Sequence, residues 1–97
     1  MQIRRLKIRK EFLKAAKGHA ARRHLVVVQG IDRRDGQQHV GEGFTTTKKI
    51  GGAVVRNRAR RRLRVAAREL LPKYAKPGYD YVFIARQDTA DIGWPRL

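Results

Sequence analysis

The sequence predicts a small α+β domain with its elements in the order α-β-β-α-β. Apolar residues over 53–71 recur at the helical period. A Val-rich run at 25–31 and an apolar run within 79–85 are bounded by turn formers, as strands are. The length of 97 residues suits a single domain.

The elements follow in chain order. Ile8, Phe12 and Ala15 or Ala16 share one face of a helix over 8–17, and Gly18 stops it. The residues before it read as a loosely held extension. Residues 25–31 form a strand that runs into the turn Asp32-Arg33-Arg34-Asp35-Gly36. Residues 38–47 form a second strand, where Gly41 and Gly43 signal a bulge or a close backbone approach. Helix 53–71 comes next and Pro72 ends it. Pro77-Gly78 then turns the chain into a third strand over 79–85. Its Val82-Phe83-Ile84 run predicts burial on both faces. Tyr79 and Tyr81 fall on one face of it.

Charge is the dominant feature. Lys and Arg number 24 against 8 acidic residues, a formal net charge of +16. Nine basic residues lie in 1–24 and nine more in 48–68, and the latter stretch has no acid. The rest of the chain is close to neutral. Two concentrated blocks point to a polyanion, since a merely soluble surface mixes its signs. No cysteine is present, which excludes a disulfide framework, a thiolate zinc site and a Cys nucleophile. The longest apolar runs fall far short of the roughly 20 residues that span a bilayer. No apolar secretory core of about 7–15 residues follows the basic start. No membrane partner is expected, and the cytoplasm is the expected location.

On helix 53–71, Val55, Ala59, Leu63, Ala66, Ala67 and Leu70 occupy a sector of about 120° at the helical spacing. Asn57, Arg58, Arg60, Arg61, Arg62, Arg64 and Arg68 fill most of the rest, with Arg56 on the border. Arg pairs four residues apart repel on an isolated helix. A bound polyanion that neutralises them accounts for the run. Arg suits phosphate because its planar fork binds bidentately and stacks on bases. Asn57 adds an amide that both donates and accepts. The glycines ahead of the helix, Gly51 and Gly52, read either as a close approach for an anion or as a plain turn.

The stretch Phe44-Thr45-Thr46-Thr47-Lys48-Lys49-Ile50-Gly51-Gly52-Ala53-Val54-Val55-Arg56-Asn57-Arg58-Ala59-Arg60-Arg61-Arg62-Leu63-Arg64 resembles the signature of the bacterial ribonuclease P protein subunit. Arg5-Leu6-Lys7 with Glu11-Phe12 is similar to that family's N-terminal helix. Asp80-Tyr81-Val82-Phe83-Ile84-Ala85-Arg86 is similar to its last strand, so the resemblance covers roughly residues 4–87. Three departures stand out. Ala16 replaces a second aromatic one turn after Phe12, and Val28 replaces an aromatic near the end of the first strand. The sequence ends near where the family's C-terminal helix would begin, so that helix is expected to be missing or truncated.

The resemblance implies a two-layer α/β sandwich, with a small mixed sheet and a left-handed βαβ crossover around the Arg-rich helix. It implies a protein cofactor of ribonuclease P. In that ribonucleoprotein the RNA subunit hydrolyses the phosphodiester with bound Mg²⁺ and removes the 5′ leader of precursor tRNA. The protein shares an endoribonuclease activity whose catalysis belongs to the RNA. Ribonuclease P RNA and precursor tRNA are the implied partners. Arg56, Asn57, Arg58, Arg60, Arg61, Arg62, Arg64 and Arg68 are the implied RNA-subunit contacts, extended by Lys48 and Lys49. Phe12, with Val26 and Val28 of the first strand, would line a cleft for the leader, and Lys10, Lys14 and Lys17 would supply its charge. Read alone, Phe12 is first of all an ordinary core residue; with the resemblance the two readings stand level.

Other functions are weaker fits. A general or ribosomal RNA-binding protein has no need of the Lys-Lys-x-Gly-x-Ala turn joined to Arg-Asn-Arg. A self-sufficient nuclease needs converging carboxylates or a His pair. His19, His24 and His39 have no ligand-spaced partner, and Asp32, Asp35 and Glu42 read as turn residues, not a metal site. DNA is not an expected partner, because the Arg face wraps more of the helix than a groove reader uses. The oligomeric state is left open. Trp94 is expected either to pack on the sheet or to await a further helix.

Overall fold

A computed structural model describes residues 2–22, 26–46 and 50–85, with the side chain of Arg22 not described. Lys48, Lys49, His24 and Trp94 lie outside the described residues, as does the stretch that would precede a C-terminal helix. The elements are β1 (Ile3–Arg5), α1 (Arg9–Ala15), β2 (His19–Arg22), β3 (Val26–Asp32), β4 (Val40–Thr45), α2 (Ala53–Tyr74) and β5 (Tyr79–Ala85). The strands form one mixed sheet in the order β1-β4-β5-β3-β2. β1 and β5 both run parallel to β4, while β3 runs antiparallel to β5 and to β2. The chain therefore crosses from β4 through α2 to its parallel neighbour β5.

Strand alternation sorts the side chains to two faces. On one face α2 packs Ala59, Leu63, Ala67 and Leu71 against Val26, Val40, Phe83 and Ala85. This layer pair is the main core. On the other face α1 and the residues before it bury Leu6 and Ala15 against Val82, with Phe12, Ile31 and Ile84 partly buried around them. Val82 and Phe83 are 2% and 1% exposed on opposite faces, as the apolar run predicts. Tyr79 and Tyr81 stack on one face, ring centroids 5.9 Å apart.

α2 runs two residues past Pro72, contrary to the expectation that this proline ends it. Pro72 sits in the last turn, so its missing N–H removes one bond to Arg68 and interrupts nothing downstream. Buried Leu71, which accepts the Ala75 N–H at 2.9 Å, holds that turn on the core. The stop comes at Ala75, whose backbone is extended. Lys76-Pro77-Gly78-Tyr79 then makes a tight turn, with Gly78 at φ +82 and the Tyr79 N–H donating to the Lys76 carbonyl.

β1 and β2 were not expected from the sequence. β1 is fully exposed and held by backbone pairing with β4, so no hydrophobic alternation marks it. β2 reads His-Ala-Ala-Arg and carries no strand-forming residue type. Ile8 leaves the expected apolar face of α1. It caps the helix at 62% exposure, and its N–H donates to the Glu11 carboxylate at 3.2 Å.

Candidate nucleic-acid interface

Of the arginines on α2, Arg58, Arg61, Arg64 and Arg68 are exposed, as is Asn57. The spacing of three, three and four places the four guanidinia along one stripe over about 15 Å of helix. Among the described residues no carboxylate lies within ion-pair distance of these four. Arg56 and Arg62 are half-buried. The Nε of Arg56 is buried and has no hydrogen-bond partner among the described residues. Such a donor carries a penalty until an acceptor reaches it. Arg60 is held within the chain: it donates to Asn57 Oδ1 and to Thr46 Oγ1, each at 3.3 Å.

The helix opens without a side-chain cap, since its N-cap is Gly52. Gly51 stands at φ +146, with Val55 against the position a Cβ would take. This turn is left-handed and tight, so a glycine is required there.

The expected leader cleft divides between the two faces of the sheet. Val26 is fully buried under α2, and Val28 packs on the same face. Phe12 lies across the sheet from both, on the α1 face. Strand parity is the physical reason: Val26 and Val28 point one way, and Val27, Gln29 and Ile31 the other. The β3 residues that share a face with Phe12 are thus Val27, Gln29 and Ile31, all half-buried. Val27 pairs with Ile84 across the strands, and Ile84 packs with Phe12's cluster. Phe12 is half-buried and packs over Gly43. Lys10, Lys14 and Lys17 are exposed. Lys14 and Lys17 rim one open hollow with His19 and Arg34, and Lys10 stands apart from it.

One buried network escaped sequence reasoning. Asp80 is 4% exposed and accepts from Arg33 Nη1 at 2.8 Å. Arg33 also donates to the carbonyls of Tyr79 and His39 and to Asp35. Burial opposes the Arg33 charge, but the hydrogen bonds and charges of Asp80 and Asp35 outweigh it and raise its pKa. Asp35 is held below the ordinary aspartate range, first by the Gln37 N–H and then by Arg33. Asp32 accepts the Arg34 N–H, so both aspartates cap turns, as their loop position predicts. Glu42 lies 3.6 Å from Arg5. A hard cation such as Mg²⁺ takes oxygen ligands. The described residues hold no group of three or more metal-ligating side chains, and Asp35, Asp80 and Glu42 already face arginines.

A small α+β domain whose longest helix presents a stripe of exposed guanidinia, with no carboxylate beside them among the described residues, has the charge pattern of the polyanion-binding class. Comparison with known proteins narrows that class. Residues 1–97 match the family model described as Ribonuclease P. The chain is 54% identical over 97 residues to the ribonuclease P protein component of Caulobacter vibrioides, covering 100% of this chain and 65% of that one. It is 48% identical over 87 residues to the component from Ruegeria pomeroyi, covering 88% and 70%. The solved structure of the Staphylococcus aureus RNase P protein aligns with a TM-score of 0.74 at 29% identity, covering 92% of this chain and 80% of that one. The chain belongs to the ribonuclease P protein family. It spans about two thirds of the length of the Caulobacter relative. No described helix is long and apolar enough to cross a membrane.

Proposed function

We propose that this chain is the protein partner of a ribonuclease P RNA and assists removal of the 5′ leader from precursor tRNA. The observation that carries this reading is the α2 stripe of Arg58, Arg61, Arg64 and Arg68, together with the orphaned Nε of Arg56. Guanidinia without internal partners take phosphate oxygens bidentately. Lys48 and Lys49, outside the described residues, add two charges in the sequence just ahead of α2.

The leader lies on the opposite face of the sheet, along Phe12, Val27, Gln29 and Ile84. A single strand binds by stacking on an aromatic and by charge. With Phe12 as the aromatic there, Lys10, Lys14 and Lys17 carry more of the attraction. Mg²⁺ belongs to the RNA subunit and substrate, and no step of the reaction runs through a metal held by this chain. The protein's part is electrostatic: it lowers the repulsion between two polyanions and so reduces the Mg²⁺ needed to bring them together.

The test is cleavage of precursor tRNA at low, near-physiological Mg²⁺ by a bacterial ribonuclease P RNA, alone and with this protein. Accurate 5′ processing restored by the protein is the expected result. Binding without stimulation, and with equal affinity for ribosomal RNA, would move the protein to the general RNA-binding class.

A further inference from the structure

Arg60 sits within the Arg-rich face, yet both of its terminal nitrogens are engaged inside the chain. Nη1 donates to Asn57 Oδ1, one turn back, at 3.3 Å. Nη2 donates to Thr46 Oγ1, just past the end of β4, at 3.3 Å. Arg60 as a residue is half-buried, unlike its exposed neighbours Arg58, Arg61 and Arg64. It therefore ties the first turns of α2 to the sheet at the point where the chain leaves β4.

This tie sets the orientation of Asn57. An amide has one acceptor end and one donor end, and a guanidinium has donors alone. The end of Asn57 that faces Arg60 must be its oxygen. The NH₂ group is then turned away, at an exposed position on the helix. An amide so held offers two donors and no competing acceptor.

We infer that Arg60 is a positioning residue, which bridges Thr46 and Asn57 so that the Asn57 NH₂ group faces outward as a donor to RNA oxygens. Arg60 itself is not one of the phosphate contacts. The inference rests on the reading of α2 as the RNA-subunit face.

The test is equilibrium binding to a bacterial ribonuclease P RNA transcript over a salt series. Each phosphate contact contributes about 0.7–0.9 to the slope of log K against log salt. Arg60→Met is expected to weaken binding roughly three- to tenfold, as loss of one oriented hydrogen bond does, and to leave the slope at the wild-type value. Thr46→Val, which alters no charge, is expected to give part of that loss. In an Asn57→Ala background, Arg60→Met is expected to add little further loss. Arg58→Met is the comparator, with the slope reduced by one contact. A slope reduced equally in Arg60→Met, additive losses, or an unchanged affinity would each overturn the inference while the RNA-subunit reading stands. Equal wild-type affinity for a ribosomal RNA transcript would overturn that reading and this inference with it. Helical circular dichroism equal to wild type in Thr46→Val keeps the result separate from a failure to fold.

Discussion

The ring of Phe12 lies directly over the backbone of Gly43: a Cβ at that glycine would stand 2.7 Å from Phe12 Cε1. Real carbon atoms do not approach so closely, so this glycine is what seats α1 on the sheet. Gly43→Ala is expected to push Phe12 outward and to lower stability by about 1–3 kcal/mol, the usual effect of overpacking. Urea unfolding measures it. If leader binding depends on that seat, affinity for a precursor tRNA should fall more than affinity for mature tRNA.

Asp80 and Arg33 form a buried pair, with side chains 5% and 9% exposed. Removing one partner strands the other charge, and Arg33 keeps just one further carboxylate, Asp35. Asp80→Ala is expected to lower unfolding stability by about 3 kcal/mol. Arg33→Met in the same chain should add less than its own single effect, because the pair acts as a unit. Paired urea midpoints for the three variants check both statements.

Asp35 gives stability a pH dependence with a definite sign. Its pKa is lowered in the folded state, so the unfolded chain takes up the proton first as pH falls. The contribution is present above the ordinary aspartate range and is lost as pH falls through the folded value. Between about pH 5 and about pH 3, wild type should lose more stability than Asp35→Asn. Denaturant midpoints at the two pH values decide it.

Arg58→Ala with Arg61→Ala removes two exposed charges from the middle of the stripe. Affinity for ribonuclease P RNA should fall steeply, and the salt slope should decrease by about 1.4–1.8 for two contacts. Helical circular dichroism should be unchanged, since neither side chain is in the core. Loss of helicity would mean that the face had been assigned wrongly.

Much of the fold was legible because the core follows simple periods. Ala59, Leu63, Ala66 and Ala67 are buried as the helical spacing predicts, and β5 begins and ends where the sequence places it. Leu71, also within the predicted helix, joins them from just beyond the predicted apolar sector. The edge strands were not legible, since backbone pairing with a distant strand leaves no pattern in three or four residues.

The site was legible by composition and not by orientation. Periodicity gave the guanidinium face, yet it could not separate Arg60 from its neighbours, because Thr46 comes from another element. Likewise, the alternation of β3 shows that Val26 and Val28 share a face, while which helix covers that face depends on the sheet order. The Arg33–Asp80 pair spans 47 residues and leaves no local signal at all.

The two shortest strands, of three and four residues, are the two outermost strands of the sheet. Among the described residues each has a strand on one side only, and β1 carries Arg4 and Arg5. Strand-to-strand association between copies needs a long, flat, uncharged border. This sheet has none along β1, and at +16 the chains also repel one another. The charge on which the proposed RNA binding rests thus also opposes amyloid-like stacking of the free chain.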